Sequence, residues 1–335
     1  MLRTKRFWFG LIITVVFFGI FLARTNFSDI ANSFSGADYW LAIASVPVFF
    51  FGFWFRTLRW RVLMRPVADV PTARLYPVVL IGLMINNITP ARVGELVRAY
   101  LVGERESISK TTVLGTIAVD RVYDGLTLVA ILGVTTMFTG ANGTVKGLGI
   151  STAVVMLVGV LVLGVLAVSP VRSRLVLVQL IRVLPVRFAT RVEGLLDAFL
   201  SGLVVIRKPS TLLLAAVCSV ASWLIEVTMY YMVGRAFHVD AGFDAFLVVT
   251  AAANLALAIF SSPGGVGPFE VTTKEVLSFF GVAGAKASAY ALALHVLLLG
   301  PVIVVGFVLI WTAQISLQEI LGIPKTPVPS TGALD

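Results

Sequence analysis

Asn86-Asn87-Ile88-Thr89-Pro90-Ala91-Arg92-Val93-Gly94-Glu95 and Ser261-Ser262-Pro263-Gly264-Gly265-Val266-Gly267-Pro268-Phe269-Glu270 each interrupt a long apolar segment, Leu75 to Val102 and Phe243 to Phe280 respectively. Proline lacks a backbone donor and glycine favours non-helical angles, so neither break is continuous helix. The surrounding chain is made for lipid: of its 335 residues 58% are apolar and only 13% charged, against about 25% charged in a soluble domain. Such a surface excludes a soluble enzyme, a disordered chain and, with Cys218 the only cysteine, a disulfide scaffold. Irregular backbone at membrane depth persists only inside protein or beside a wet cavity. The two breaks are therefore where a site is expected.

A full crossing needs about 20 apolar residues, and six segments supply them: Phe7 to Ala23, Tyr39 to Leu58, Thr111 to Phe138, Leu148 to Val168, Thr211 to Val233 and Lys286 to Ala313. The first resembles a signal peptide, but its apolar run is too long and Phe21-Leu22-Ala23-Arg24 is a poor cleavage site, so it reads as a retained span. Net charge is +9, which serves orientation here rather than nucleic-acid binding, because basic residues collect on the cytoplasmic side. With a cytoplasmic N-terminus and both broken segments re-entrant, only Arg24, Lys146, Arg235, Lys274 and Lys286 fall outside, and Arg121 lies within a span. If the first broken segment crossed, Arg92, Arg98, Arg105 and Lys110 would face outward.

The fold class expected is thus an all-α polytopic membrane protein of six full spans and two re-entrant broken-helix hairpins, with both termini in the cytoplasm. The breaks share Pro-x-x-Val-Gly and their surroundings repeat, full span, hairpin, full span, entered from opposite sides. This is the inverted repeat common among secondary transporters, whose sites lie where broken helices meet. The single transmembrane domain divides into a first span and loop (1–38), a first repeat (39–138), a linking span and cytoplasmic interfacial segment (139–210), an inverted second repeat (211–313) and a cytoplasmic tail (314–335). Within Ser169 to Pro209, Val192, Leu195, Leu196, Phe199 and Leu203 recur at helical spacing, as in a strap lying along the interface.

Four stretches carry a family resemblance: Arg56-Thr-Leu-Arg-Trp-Arg61, Asn87-Ile-Thr-Pro-Ala-Arg-Val-Gly-Glu-Leu-Val-Arg98, Asp120-Arg-Val-Tyr-Asp-Gly125 and Pro263-Gly-Gly-Val-Gly-Pro-Phe-Glu270. In content, order and spacing the chain resembles the transmembrane, flippase-like domain of lysylphosphatidylglycerol synthases and its stand-alone bacterial and archaeal relatives. In the synthases a soluble aminoacyl-transfer domain follows. This chain stops at Asp335, so the resemblance implies lipid translocation without lysyl transfer, in a bacterial or archaeal cytoplasmic membrane.

Candidate substrate-binding residues are Arg92, Arg98, Arg121, Asn86, Asn87, Gly264, Gly265 and Gly267. A cation beside the free N–H groups of a helix start suits phosphate, and the glycines allow a nest of N–H groups for an anion. The bland alternatives are that Glu95 neutralises Arg92 or Arg98 and both merely anchor the hairpin, and that Asn86, Asn87 and Asn254 satisfy broken backbone. Asp120, Arg121 and Asp124 lie about 14–20 Å deep, as a structural ion pair or as a phosphate-holding arginine beside a proton-accepting carboxylate. Glu95, Glu226 and Glu270 are the other proton-coupling or ion-pair candidates, Glu226 and Glu270 also as partners for Arg121. His295 reads as a hydrogen-bonded core residue.

No catalytic residue, metal site or cofactor is expected: two distant histidines and one cysteine do not make a zinc site, and no P-loop, dinucleotide fingerprint or nucleophile elbow occurs. The expected partners are membrane lipids with an anionic headgroup or lipid-linked phosphate and no nucleic acid, while a soluble synthase or glycosyltransferase partner and a homo-oligomer stay open. Three rivals remain at this point: a carrier of small soluble anions, an intramembrane lipid-phosphate enzyme using Asp120, Asp124 or Glu270, and a docking subunit acting through Ser169 to Pro209.

Overall fold

The computed structural model describes residues 27–89, 93–138, 209–259 and 262–312, with a few helical positions elsewhere. The spans expected at Phe7 to Ala23 and Leu148 to Val168, the strap, the tail and Arg92 lie wholly or mostly outside the described residues. Nine α-helices make up the described part: α1 (Phe27–Ser35), α2 (Tyr39–Met64), α3 (Thr72–Ile88), α4 (Gly94–Arg105), α5 (Lys110–Phe138), α6 (Pro209–Ala236), α7 (Phe243–Ile259), α8 (Pro268–Phe279) and α9 (Gly284–Thr312). Helices α2, α6 and α9 are long and apolar enough to cross a membrane, while α3 and α7 are shorter and apolar. Helix α5 has 29 residues, but Asp120, Arg121 and Asp124 interrupt its apolar run.

Each break ends its helix for the reason legible in the sequence. Helix α3 stops at Ile88, just before Pro90, whose ring disfavours helical angles in the residue ahead of it. The start of α4 is then capped from outside, the Gly94 N–H donating to Asn86 Oδ1 at 2.8 Å. In the second break Pro263–Gly265 forms a single 3-10 turn, with Gly264, Gly265 and Gly267 at φ of 61°, 76° and 98°, values that favour glycine. Pro268 opens α8 at a position where no N–H is needed, and the Gly267 N–H donates to Glu270 Oε2 at 2.7 Å.

Hydrogen bonds at the helix ends fix how the halves are arranged. The Asp38 N–H donates to Ala236 O (2.8 Å), His238 Nε2 meets Gly36 O (3.0 Å) and Lys286 Nζ donates to His238 O (2.9 Å). The starts of α2, α7 and α9 therefore share one end of the molecule with the finish of α6. At the other end Arg74 pairs with Glu106 at 3.4 Å and Lys110 with Glu104. Hence α3 and α4 both open towards that second end, and α7 opens towards the first. Helices α2 and α6 pack along each other, α3 lies against α9, α7 lies against α5, and the turn at 263–265 rests on α3. The tips meet where a Cβ on Gly264 would stand 3.1 Å from the Asn87 carbonyl oxygen.

The core between the halves is aromatic and aliphatic, with Trp60, Tyr230, Phe246, Phe269 and Tyr290 fully buried. The outside is equally apolar. Leu213, Val217, Val220 and Leu224 form one exposed stripe on α6, and Val296, Val304, Phe307, Val308 and Trp311 another on α9, at the spacing of a single helix face. Patches of that kind suit acyl chains, not water. The chain is an all-α, multi-pass membrane protein.

Candidate functional site

Where the tips meet, residues of both halves enclose a cavity of about 400 Å³. Asn86, Asn87, Thr89, Glu95, Arg121 and Asp124 line it from one half, and Glu226, Asn254, Ser262, Gly264, Gly265 and His295 from the other. Its walls carry three groups of charge.

The first group gathers on α5, where Asp120 and Asp124 project from one face because they are four residues apart. Arg59 of α2, fully buried, donates from Nε to Asp120 Oδ1 at 2.7 Å and from Nη1 to Ser219 Oγ at 2.7 Å, and its Nη1 lies 2.9 Å from Asp124 Oδ1. Arg121 spans the same carboxylates from the cavity side, at 3.1 Å from each, and its Nε lies 3.6 Å from Glu95 Oε1 of α4. Arg98 of α4 lies 3.7 Å from Asp120 and stacks its guanidinium 4.2 Å over the Trp60 ring. The Trp223 indole N–H donates to Asp124 Oδ1 at 3.1 Å. Buried charges are tolerated when partners and hydrogen bonds offset their desolvation, and here arginines and carboxylates alternate.

A second group lies beside it. Arg56 donates to Glu226 at 2.6 Å and sits 4.1 Å over the Trp223 ring. The Asn254 amide holds the arrangement, donating to Glu226 Oε1 (3.4 Å), Tyr230 OH (3.3 Å) and Thr250 O (3.0 Å). The third group belongs to the second break: His295 Nδ1 meets Glu270 Oε1 at 2.6 Å and His295 Nε2 meets Gly264 O at 2.8 Å. At the helical rise, Asp120 lies about 15 Å from the Lys110 end of α5 and His295 about 17 Å from the Gly284 end of α9. Because those two ends belong to opposite faces of the molecule, both groups lie deep in the cavity and not at one mouth.

Several readings of the sequence change at this point. Arg98 is buried against Trp60 instead of facing the cavity. Glu95 meets Arg121, a residue on another helix that spacing along one helix could not suggest. Neither Glu226 nor Glu270 pairs with Arg121, since Arg56 and His295 hold them. At Gly265 and Gly267 the nest is occupied from within: the Gly265, Val266 and Gly267 N–H groups donate to Ser262 O (3.0 Å), Pro263 O (3.3 Å) and Glu270 Oε2 (2.7 Å). The positive φ angles that free a glycine loop also let this one satisfy those three donors. His295 is hydrogen-bonded, as expected of a core residue, yet it also faces the cavity.

Arg56 and Arg59 are the residues sequence reasoning missed. The charge count assigns both to the cytoplasmic side, Arg56 at the end of the expected span and Arg59 just past Leu58, whereas α2 runs on to Met64 and carries both inward. The signal available was their three-residue spacing, which puts them on one helix face, within a stretch that also bears the family resemblance.

The model of the lysylphosphatidylglycerol synthase transmembrane region matches residues 7–306. The chain is 27% identical over 248 residues to a UPF0104 membrane protein of Methanothermobacter thermautotrophicus, covering 70% of this chain and 73% of that one. It is 22% identical over 247 residues to a UPF0104 membrane protein of Methanocaldococcus jannaschii, covering 72% of this chain and 98% of the relative. It is also 28% identical over 319 residues to the glycosyltransferase AglD of Haloferax volcanii, covering 85% of this chain but only 51% of that protein.

Proposed function

The chain belongs to the lysylphosphatidylglycerol synthase transmembrane-region family, and from that premise we propose that it moves a lipid with a phosphate-bearing headgroup between the two leaflets of a cytoplasmic membrane. The substrate class is an anionic phospholipid or a polyprenyl-phosphate-linked lipid. The headgroup travels through the cavity while the tails stay among acyl chains, because a charged group does not cross hydrocarbon unaided. One observation carries this reading: a single cavity, bounded by the touching tips of two hairpins that open to opposite ends, offers Arg121 with its side chain 36% exposed.

In this reading the two hairpins are re-entrant and the repeats are inverted in the membrane, with six full spans and the domain division given by the sequence. The end bearing Arg61, Arg65, Arg74, Arg105 and Lys110 is cytoplasmic, in keeping with the positive-inside rule, as are both termini. Arg121 receives the phosphate and Asn86 and Asn87 contact it at the tip, while Arg59 and Arg98 hold Asp120 and thereby the position of Arg121. The protein performs no covalent chemistry on its substrate. The match to about half of a glycosyltransferase supports a lipid-linked phosphate as cargo and a soluble glycosyltransferase or synthase as partner.

The test is exchange of fluorescent phosphatidylglycerol in vesicles holding the purified chain, read by quenching of the outer leaflet with dithionite. Loss of more than the outer-leaflet fraction is expected. Bleaching no greater than in empty vesicles, with the protein folded, would refute the proposal.

A further inference from the structure

Both ring nitrogens of His295 face oxygen atoms that accept. The Gly264 carbonyl only accepts, so His295 Nε2 carries a hydrogen and donates it. Nδ1 faces a carboxylate oxygen at 2.6 Å, and two acceptors do not approach so closely without a proton between them. One proton is therefore shared by Glu270 and His295 and belongs to the pair, not to either residue. The other Glu270 oxygen is taken by the Gly267 N–H. The pair is buried, at 3% and 6% side-chain exposure, yet His295 borders the cavity.

The surroundings give that proton a role. The groups facing the pair are the Gly264 carbonyl and Gly267 N–H of the break and the Phe269 ring of α8, whose centroid lies 4.5 Å from that of the imidazole. Across the cavity α3 contributes the Asn86 and Asn87 amides, α7 the Asn254 amide, and α2 and α6 the mutually neutralising Arg56 and Glu226. The pair's own helices carry Lys274 and Glu275 one turn beyond Glu270, and Lys286 near the start of α9. Elsewhere on the cavity Arg59, Arg98 and Arg121 face Asp120, Asp124 and Glu95. Among the described residues the walls are thus formally neutral, and a singly anionic headgroup crossing alone would move one net charge across the membrane potential.

We propose that the Glu270–His295 pair binds a proton that crosses together with the anionic headgroup, making the protein an electroneutral lipid–proton symporter; this rests on the translocation reading above. The proton enters the pair with the cavity open to one compartment and leaves with it open to the other. Without it the Nδ1 lone pair confronts a carboxylate, and the two separate. Glu270 caps Gly267 and His295 holds Gly264, so that separation acts on both ends of the turn resting against Asn87. Its glycines accept new backbone angles at little cost. Proton occupancy and the seal between the tips are in this way one equilibrium.

The experiment uses the full chain in vesicles containing fluorescent phosphatidylglycerol, with valinomycin and equal potassium holding the voltage at zero. One proton per lipid makes the steady-state leaflet ratio shift about tenfold for each unit of pH difference imposed. In Glu270→Gln and in His295→Gln the ratio becomes independent of the pH difference, whatever the absolute rate, while Glu226→Gln keeps the dependence. Lipid movement in the wild type that ignores the pH difference overturns the symport and leaves translocation standing; no lipid movement at all strikes the earlier reading instead. A pH response surviving in either pair variant overturns the site. Should neither variant fold, 15N-histidine labelling of His238→Gln protein leaves His295 as the one labelled ring. Its Nδ1 resonance is expected to move between mildly acid and mildly alkaline buffer while Nε2 stays protonated, and an Nδ1 signal that does not move overturns the proposal.

Discussion

The two broken hairpins have arms of the same length, 17 residues and then 12 in each, but they are joined to the rest of the protein by different chemistry. The first is tied through arginine: Arg98 of its second arm reaches Asp120 and Trp60, and Glu95 reaches Arg121. The second is tied through Glu270 and His295. Arginine keeps its charge at any working pH, whereas the second tie is a buried carboxylate–imidazole hydrogen bond. Two hairpins of matching arm length are thus tied to the rest of the protein in two ways, through an arginine–carboxylate cluster in one and through a carboxylate–imidazole pair in the other. Arms of equal length give similar scaffolds; they do not oblige the two hairpins to do equivalent work.

The sharpest way to break this comparison is to remove Arg59, which anchors the arginine-tied side. Arg59→Ala leaves Asp120 and Asp124 short of a buried partner, and losing one member of a buried ion pair costs about 3–5 kcal/mol. Arg98 and Arg121 remain nearby, so about 4 kcal/mol is expected, read as a collapse of the thermal midpoint by tryptophan fluorescence in detergent. Unchanged melting would mean that the cluster is not what holds the first half together.

The next contrast lies in the backbones. A Cβ on Gly94 would run into the Gly82 carbonyl oxygen, so in the first hairpin main chain meets main chain; a Cβ on Gly265 would instead meet the end of the Leu257 side chain. Side chains give way and backbone does not. Gly94→Ala is expected to cost about 3 kcal/mol, and Gly265→Ala only the about 1–2 kcal/mol of a left-handed non-glycine residue. Equal losses in the same melting experiment would contradict the difference in packing.

Most of the frame was legible because it rests on local rules. Pro90 and the glycines near Pro263 stop helices whatever surrounds them, and Asp120 with Asp124 declare one face of α5 by spacing alone. What was not legible is pairing across helices. That Arg59 reaches Asp120, or Arg121 reaches Glu95, depends on how α2, α4 and α5 lie in space, and periodicity along a single helix holds no such information. The Glu270–His295 pair escaped for the same reason, its members being on α8 and α9. The cytoplasmic assignment of Arg56 and Arg59 fails for a different reason: apolar composition ends near Leu58, but the helix continues to Met64 and the partners of both arginines lie inside the protein.

Within the first group, Arg121 and Arg59 share the same two carboxylates, yet only Arg121 lines the cavity. Arg121→Ala is expected to slow phosphatidylglycerol exchange about thirtyfold, the equivalent of about 2 kcal/mol for a charge-assisted contact to phosphate, while melting shifts far less than for Arg59→Ala. A variant that exchanges lipid at the wild-type rate would remove the midplane cation from the mechanism and leave the arginines a purely structural role.

The smallest effect belongs to the rim. Arg74, at the mouth of the first hairpin, pairs with Glu106 at 3.4 Å with its side chain 68% exposed. Water and salt screen such a pair and its long side chains lose freedom in forming it, so its worth is about 0–1 kcal/mol. Arg74→Ala should therefore melt close to the wild type and exchange lipid at nearly its rate. The difference between this arginine and Arg59, identical in chemistry and set in the same half, comes from burial and from the number of partners held: Arg59 meets Asp120, Asp124 and Ser219 out of water, and Arg74 meets Glu106 at the surface. A large loss of stability on removing Arg74, with little on removing Arg59, would reverse that ordering and with it the division between a sealed, charge-locked inner cluster and a solvated rim.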